Sequence, residues 1–163
     1  MSRRAAAPAD DAPDLAILIA ASYRATIERL LRQMARGGIT GMRSAYGFVI
    51  RAVAAEEPSI GRLAELLDTT KQAASKLSEL MVHEGFLVRF IDKADARRTR
   101  LRLTAKGRRV IQTAVATGDA MERELTARLG SRDVAAFRRV LLTLLERNGG
   151  LDDVLARRAR PVW

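Results

Sequence analysis

Two short helices separated by a brief turn, within residues 58–107, constrain the fold of this chain more than any other part of it. The first is an amphipathic stretch that Ser59 can cap at its N-terminus. After a turn at Asp68 and Thr69, Thr70 can cap a second helix over about 71–84. Helices joined this closely are typical of a helix-turn-helix.

A β-hairpin is predicted directly after the second helix. Gly85 stands where a helix can end in the left-handed conformation, and residues 86–91 have the composition of a strand. A turn leads to residues 99–103, in which polar and apolar side chains alternate with the period of a strand. The tip and the return strand are basic and carry Lys93, Arg97, Arg98, Arg100 and Arg102. This order predicts a winged helix-turn-helix, which can place a helix in the major groove and a charged ribbon beside the phosphates.

Two short motifs in this segment resemble the MarR family of bacterial transcription regulators. Asp95-Ala96-Arg97 looks like the family's D-x-R wing tip, and Leu103-Thr104-Ala105-Lys106-Gly107 looks like its L-T-x-x-G exit into a long helix. The segment 85–89 is similar to the family's entry into the wing, and the likeness extends over about 15–148. Arg98 departs from the family's pattern, which more often has a small residue there, and makes the wing tip more basic.

Long helical patterns with wide apolar stripes flank this segment. They cover Asp14 to about Arg36, about Gly41 to Ala55, the residues after Thr104 to about Leu129, and a last helix that Ser131 can cap. We therefore predict a mainly α fold with a small β wing: a winged helix-turn-helix plus a helical dimerisation region. The expected domains are a disordered arm (1–13), an N-terminal dimerisation helix (14–40), a winged helix-turn-helix DNA-binding domain (41–103), C-terminal dimerisation helices (104–148) and a basic tail (149–163).

The apolar stripes also predict a partner chain. A small winged unit cannot cover all of them within one chain, so pairing through helices is the simplest way to bury them. The family resemblance implies the same arrangement, in which terminal helices interlock around a two-fold axis. We expect a homodimer.

Charge favours a polyanionic partner. The net charge is +10 and the isoelectric point about 11.2, which favours double-stranded DNA, with an anionic membrane surface as the second candidate. The chain has no cysteine and only one histidine, His83. This composition argues against a metal site, and no cofactor is expected. The acidic residues before the apolar run 15–22 argue against a secretory signal, and no run approaches the ~20 residues of a membrane span, so we predict a cytoplasmic protein without membrane contact.

The DNA-binding residues are expected on the second helix, its cap and the wing. On that helix Ala74, Leu77, Leu80 and Met81 are expected to face inward, which leaves polar side chains outward. The predicted set is Ser59, Thr69, Thr70, Lys71, Gln72, Ser75, Lys76, Arg89, Asp95, Arg97, Arg98 and Arg100. The resemblance implies that Arg97 enters the minor groove while Asp95 holds the turn. The alternatives are an ordinary solvated helix face and a surface ion pair.

A ligand cleft is a second hypothesis. Tyr23, Tyr46, Phe48 and Met81 could line it where the helical region meets the winged unit. The resemblance implies that such clefts bind small phenolic or other amphipathic anions. The alternative is plain core packing.

The expected function is that of a homodimeric transcriptional regulator, a repressor in our interpretation, that recognises a pseudo-palindromic operator and responds to a small molecule. A sequence-tolerant architectural DNA-binding protein is the alternative, and a winged helix used only for protein contacts is a third. An enzyme is not expected, because the sequence has no phosphate loop, no Ser-His-acid set and no paired carboxylates in a plausible cleft.

Overall fold

The computed structural model describes residues 13–92, 95 and 97–152, so nearly all of the predicted N-terminal arm, Lys93 of the predicted wing tip and most of the basic tail lie outside the described residues. This part of the chain forms six helices and one two-stranded antiparallel sheet. The elements are α1 (Leu15–Arg36), α2 (Tyr46–Glu56), α3 (Ile60–Leu66), α4 (Lys71–His83), β1 (Leu87–Ile91), β2 (Thr99–Leu103), α5 (Ala105–Leu129) and α6 (Ser131–Arg147). None of these helices is both long and apolar enough to span a bilayer. The predicted fold class is confirmed.

Side-chain caps begin four of the helices: hydroxyls at α3, α4 and α5, as predicted, and the Asp14 carboxylate at α1. The hydroxyls of Ser59, Thr70 and Thr104 each accept a hydrogen bond from the backbone N–H three residues further on, at 3.2, 3.1 and 3.1 Å. Each cap satisfies a donor that the first helical turn leaves without an intrahelical acceptor. Gly85, after α4, has the predicted left-handed conformation with φ +78°.

Two predicted helix starts were wrong. The second helix begins at Tyr46 and not near Gly41, because Gly41 has φ +77° and the chain turns before the helix can form. Ser131 does not cap α6, because Gly130, with φ 86°, occupies the N-cap position and Ser131 is already the first helical residue. In both cases a glycine at positive φ lies at the boundary, so α2 starts later than predicted and α6 starts one residue earlier.

A single core unites the winged part of the molecule. In the sheet, Leu87 pairs with Leu103 and Ile91 with Thr99. The buried side chains come from α2, α3, α4, the sheet, the first turns of α5, the end of α1 and adjoining loops, and include Met34, Ile39, Tyr46, Val49, Leu63, Met81, Phe86, Leu101 and Val110. The rings of Tyr46 and Phe86 meet edge to face with centroids 5.6 Å apart. This core fixes α4 and the hairpin relative to each other.

The Tyr46 hydroxyl is buried in this core without a hydrogen-bond partner among the described residues, and the same holds for Glu84 Oε2. Burial raises the pKa of the Tyr46 phenol above its ordinary value of 10.0, and the nearby Glu84 carboxylate raises it further. The unfolded chain therefore ionises at a lower pH than the folded one. Stability contributed by the neutral phenol is complete below pH 10.0 and is lost as the pH rises through the folded-state pKa.

We expect Tyr46→Phe to change the free energy of unfolding by less than about 1 kcal/mol, because the hydroxyl gains little to offset its burial. Tyr46→Ala, which removes the ring from the core, should cost about 3–5 kcal/mol. Denaturant unfolding at neutral pH checks both values. A loss of several kcal/mol in Tyr46→Phe would show that the hydroxyl is strongly bonded. The phenylalanine variant should also lose less stability than the parent chain above pH 10.0.

Candidate nucleic-acid interface

The first two turns of α4 present the predicted polar face. Lys71, Gln72 and Lys76 are exposed, and Thr70 is exposed at the cap. Thr69 is half-buried, and its N–H donates to Ala64 O at 2.9 Å, which closes the turn between α3 and α4. The outward face therefore combines cations with an amide, the groups that position phosphates and read base edges.

The inward face of α4 differs from the prediction at one position. Ala74 and Met81 are buried, but Leu80 is 40% exposed and Ser78 is buried instead. At 100° per residue, Ala74, Ser78 and Met81 share one side of the helix, whereas Leu80 lies well off it. Ser78 can be buried because its hydroxyl donates to Ser75 O at 2.8 Å.

Ser75 and Arg89 are joined through a carboxylate. The Ser75 hydroxyl donates to Glu79 Oε1 at 2.9 Å, and Arg89 donates to the same oxygen at 3.3 Å. The Ser75 hydrogen bond, and after it the one from Arg89, holds the pKa of Glu79 below its usual value. This contact links the exposed face of α4 to β1, so two predicted DNA-binding residues lie on one continuous surface.

Asp95 organises the tip of the wing as the family resemblance implies. Its Oδ1 accepts a hydrogen bond from the backbone N–H of Arg97 at 3.1 Å, and its Oδ2 pairs with Arg98 Nε at 3.1 Å. The side chains of Arg97 and Arg98 are both exposed. The carboxylate thus holds the turn while the Arg97 guanidinium extends outward.

The structure places Arg100 differently from the other predicted DNA-binding residues. Its guanidinium turns toward the body of the protein and donates to three acceptors: Glu57 O at 2.6 Å, Glu56 O at 2.7 Å and Asp92 Oδ2 at 3.1 Å. Ser59 lies against the same strand, because it forms an isolated β-bridge with Arg100. Ser59 is also occupied as the cap of α3.

Arg102 points to the same region. It makes a two-pronged contact with the Glu57 carboxylate, Nε to Oε1 at 2.5 Å and Nη2 to Oε2 at 3.0 Å, and its guanidinium lies 4.0 Å from the centre of the Phe90 ring. The hydrogen bond from Arg102 is the main cause that lowers the pKa of Glu57. Glu57 was not among the predicted residues of this site. Its only signal in the sequence is an acidic pair at a helix end, next to Pro58.

The four residues of the predicted ligand cleft differ widely in exposure. Tyr46 and Met81 are fully buried in the core, Phe48 is half-buried, and Tyr23 is 55% exposed on α1. None of them lines the open depression of about 580 Å³ on α5, which is formed by Asp119, Glu122, Arg123, Thr126 and Ala127. In this structure Tyr46 and Met81 therefore pack in the core, which was the alternative to their lining a ligand cleft. Among the described residues, no group of three or more His, Asp or Glu side chains is placed to bind a metal.

Known proteins resemble this chain in sequence and in fold. No family model matches the chain. It is 30% identical over 99 residues to the transcriptional regulator HosA of Escherichia coli O127:H6, an alignment that covers 60% of this chain and 73% of HosA. Among solved structures, the regulator Tm0710 of Thermotoga maritima is 26% identical, with a TM-score of 0.58. The superposition covers 81% of this chain and 93% of the Tm0710 chain. The S. aureus MepR–DNA complex has a TM-score of 0.65 at 19% identity, with 82% and 96% covered.

The fold and these relatives define the class of protein: a winged-helix, DNA-binding transcription regulator. Within that class, the identity to HosA over more than two thirds of its length shows the family. The chain belongs to the MarR family of transcriptional regulators.

Proposed function

We propose that this protein is a homodimeric transcriptional repressor that binds a pseudo-palindromic operator through α4 and the wing. The observation that carries the proposal is the shared surface of two elements. The exposed Lys71, Gln72 and Lys76 lie on α4, and Asp95 holds an exposed Arg97 at the tip of the adjoining hairpin. A helix of this kind suits a major groove, and an arginine at the end of a ribbon suits a narrow minor groove. The fold shared with MepR, which was crystallised with DNA, supports this use of the surface.

The terminal helices support the homodimer. None of the 17 residues of α6 is buried, although the helix is amphipathic. Large apolar side chains lie exposed along α1, α5 and α6: Leu15, Ile17, Leu18, Ile19, Tyr23, Val115, Leu125, Leu129, Phe137, Val140 and Leu142. We call this set the terminal apolar face. An exposed face of this extent is typical of an interface, and a second copy of the chain can bury it symmetrically.

Two-fold symmetry sets the expected DNA site. Two copies of α4 would enter successive major grooves one helical turn apart, about 34–36 Å, and read an inverted repeat. The test is to select bound fragments from the host genome and then let the recovered site compete with random duplex. Recovery of a recurring inverted repeat that binds at least ~10³-fold more tightly than random duplex supports a regulator. Equal binding of both duplexes would favour the architectural alternative.

The wing-tip arginine gives a quantitative prediction. Arg97→Ala should weaken operator binding and reduce the slope of log affinity against log salt by about 1, because one phosphate-region cation is lost. Arg24→Ala is the matched control, since Arg24 lies on α1, is highly exposed, and carries the same charge. It should leave both the affinity and the slope nearly unchanged. If Arg97→Ala behaves like this control, the wing does not bind DNA.

An effector is the remaining part of the proposal. The dimer could adopt two conformations that differ in the spacing of the two α4 helices. A small amphipathic anion that binds one conformation better than the other would shift their populations and so change operator affinity. Tyr23 and Phe48 are the accessible members of the predicted cleft. The test is to titrate the protein–operator complex with simple aromatic carboxylates while the fluorescence of the operator is measured, which shows whether such a ligand releases DNA.

A further inference from the structure

We infer that Arg100 and Arg102 are positioning residues, which fasten the wing to the end of α2 and thereby set where Arg97 stands relative to α4. The inference rests on the proposed use of the wing in DNA binding. It differs from the expectation that Arg100 touches phosphate. We call the contact region, residues 56–59 with 100–102, the α2–wing junction.

The backbone at the end of α2 is shaped for this contact. Glu57 is one of two non-glycine residues with positive φ in the described part of the chain, with φ 47° and ψ 61°. A side chain other than glycine holds this left-handed conformation only when its surroundings enforce it. Here the carbonyls of Glu56 and Glu57, which the helix end leaves without intrahelical donors, both accept hydrogen bonds from Arg100.

Arg102 fastens the side chain of the same residue. Its two-pronged contact with the Glu57 carboxylate has the fork geometry that arginine offers and lysine cannot reproduce. The Phe90 ring, on the neighbouring strand, covers one face of the guanidinium. Glu57 therefore contacts β2 through its carbonyl and through its carboxylate.

Backbone contacts complete the junction. The N–H of Leu101, between the two arginines, donates to Pro58 O at 3.0 Å, and Ser59 forms a β-bridge with Arg100. The strand is thus attached to residues 56–59 by both main chain and side chains. Arg97 lies only three residues before Arg100, so the position of the junction fixes the base of the turn that carries it.

The two possible roles of Arg102, phosphate binding and positioning of the wing, predict opposite effects of one substitution at Glu57. Glu57→Gln removes a negative charge near the proposed DNA surface and releases Arg102. If Arg102 bound phosphate, operator affinity would rise, because a cation would be freed and a repulsion removed. If Arg102 positions the wing, affinity falls although the protein becomes more positive.

The experiment measures operator affinity over a range of salt for Glu57→Gln, Arg102→Gln, their double variant and Arg100→Lys. We expect each single variant to bind roughly threefold or more weakly, and the double variant to bind no worse than the weaker single one, because both changes break one contact. Arg100→Lys keeps the charge but cannot reach three acceptors, so it should also weaken binding. Because the junction acts through Arg97, Arg102→Gln should weaken binding much less in an Arg97→Ala background than in the parent chain. Tighter binding by Glu57→Gln, or an equal loss from Arg102→Gln in both backgrounds, would overturn the inference.

A second readout needs no DNA. Hydrogen exchange of the Leu101 amide should be faster in Glu57→Gln and Arg102→Gln, while amides in the middle of α5 stay protected. Unchanged exchange at Leu101 would contradict the junction even if operator binding were altered. If the parent chain shows no salt-dependent DNA binding, the proposed function fails, and faster Leu101 exchange would still support the junction.

Discussion

Replacing Phe137 with glutamate is expected to convert the proposed dimer into monomers and to abolish tight operator binding. Phe137 is 54% exposed on α6, within the terminal apolar face. A two-fold interface contains each side chain twice, and burying a phenylalanine contributes about 1.5–3 kcal/mol. Because Phe137 is already half covered within one chain, an interface can gain only about half of this value at each copy, so losing both raises the dimer dissociation constant about tenfold to two-hundredfold, and a buried carboxylate raises it further. A monomer also loses the second DNA contact and the high effective concentration that the first one creates.

Sedimentation over a range of protein concentrations measures this effect directly, with operator affinity as the second readout. Ile91→Glu is the control, because Ile91 is 64% exposed and apolar but lies at the end of β1, outside the terminal apolar face. The control should keep the mass of the parent protein. A parent chain that is monomeric at all concentrations, or a Phe137→Glu variant that is still a tight dimer, would contradict the proposed interface.

Gly107→Ala should be the most destabilising single-methyl change in the described part of the chain. Gly107 is buried in the first turn of α5, and a Cβ there would lie 2.4 Å from the backbone oxygen of Phe86. That oxygen cannot move freely, because it accepts hydrogen bonds from the N–H and the hydroxyl of Thr104, both at 3.1 Å. We expect a loss of about 3 kcal/mol or more, since either the helix start or the entry to β1 must shift.

Denaturant unfolding of Gly47→Ala provides the matched comparison. Gly47 is also helical, in α2, but a Cβ there meets nothing within 4 Å. This variant should be unchanged or up to about 1 kcal/mol more stable, because alanine favours the helix. Equal stabilities of the two variants would show that the close approach at Gly107 relaxes without cost.

The sequence predicted the local elements well wherever several short-range signals agreed. A capping hydroxyl, a period of 3.6 and a following glycine locate α4 to within a residue of its ends, and the period with the glycine pair after Arg36 does the same for α1. The L-T-x-x-G motif predicted the start of α5, and the structure supplies the reason in the contact between Gly107 and Phe86. The family and the fold class are confirmed, whereas the dimer, the operator and the DNA-contacting residues stay predictions.

The direction of the arginines on β2 could not be predicted from the sequence. Alternation along a strand predicts that Arg100 and Arg102 share one face, but it does not say whether that face turns toward the body, where both side chains find acceptors. Those acceptors are 43 to 45 positions earlier in the chain, so they depend on how the hairpin packs against α2. A sequence pattern that counts basic residues treats Arg97 and Arg102 alike. Only the packing separates an arginine that faces outward from one that is held.

The single helix α5 connects the wing to the terminal apolar face. Its 25 residues span about 37 Å, of which about 33 Å separates the Gly107 contact beneath the hairpin from the exposed Leu129. Over such a length, a tilt of about 5° at one end displaces the other by about 3 Å, roughly the rise of one base-pair step in DNA. In the proposed dimer, a very small rearrangement between the two subunits would therefore be sufficient to move each copy of α4 out of register with its groove.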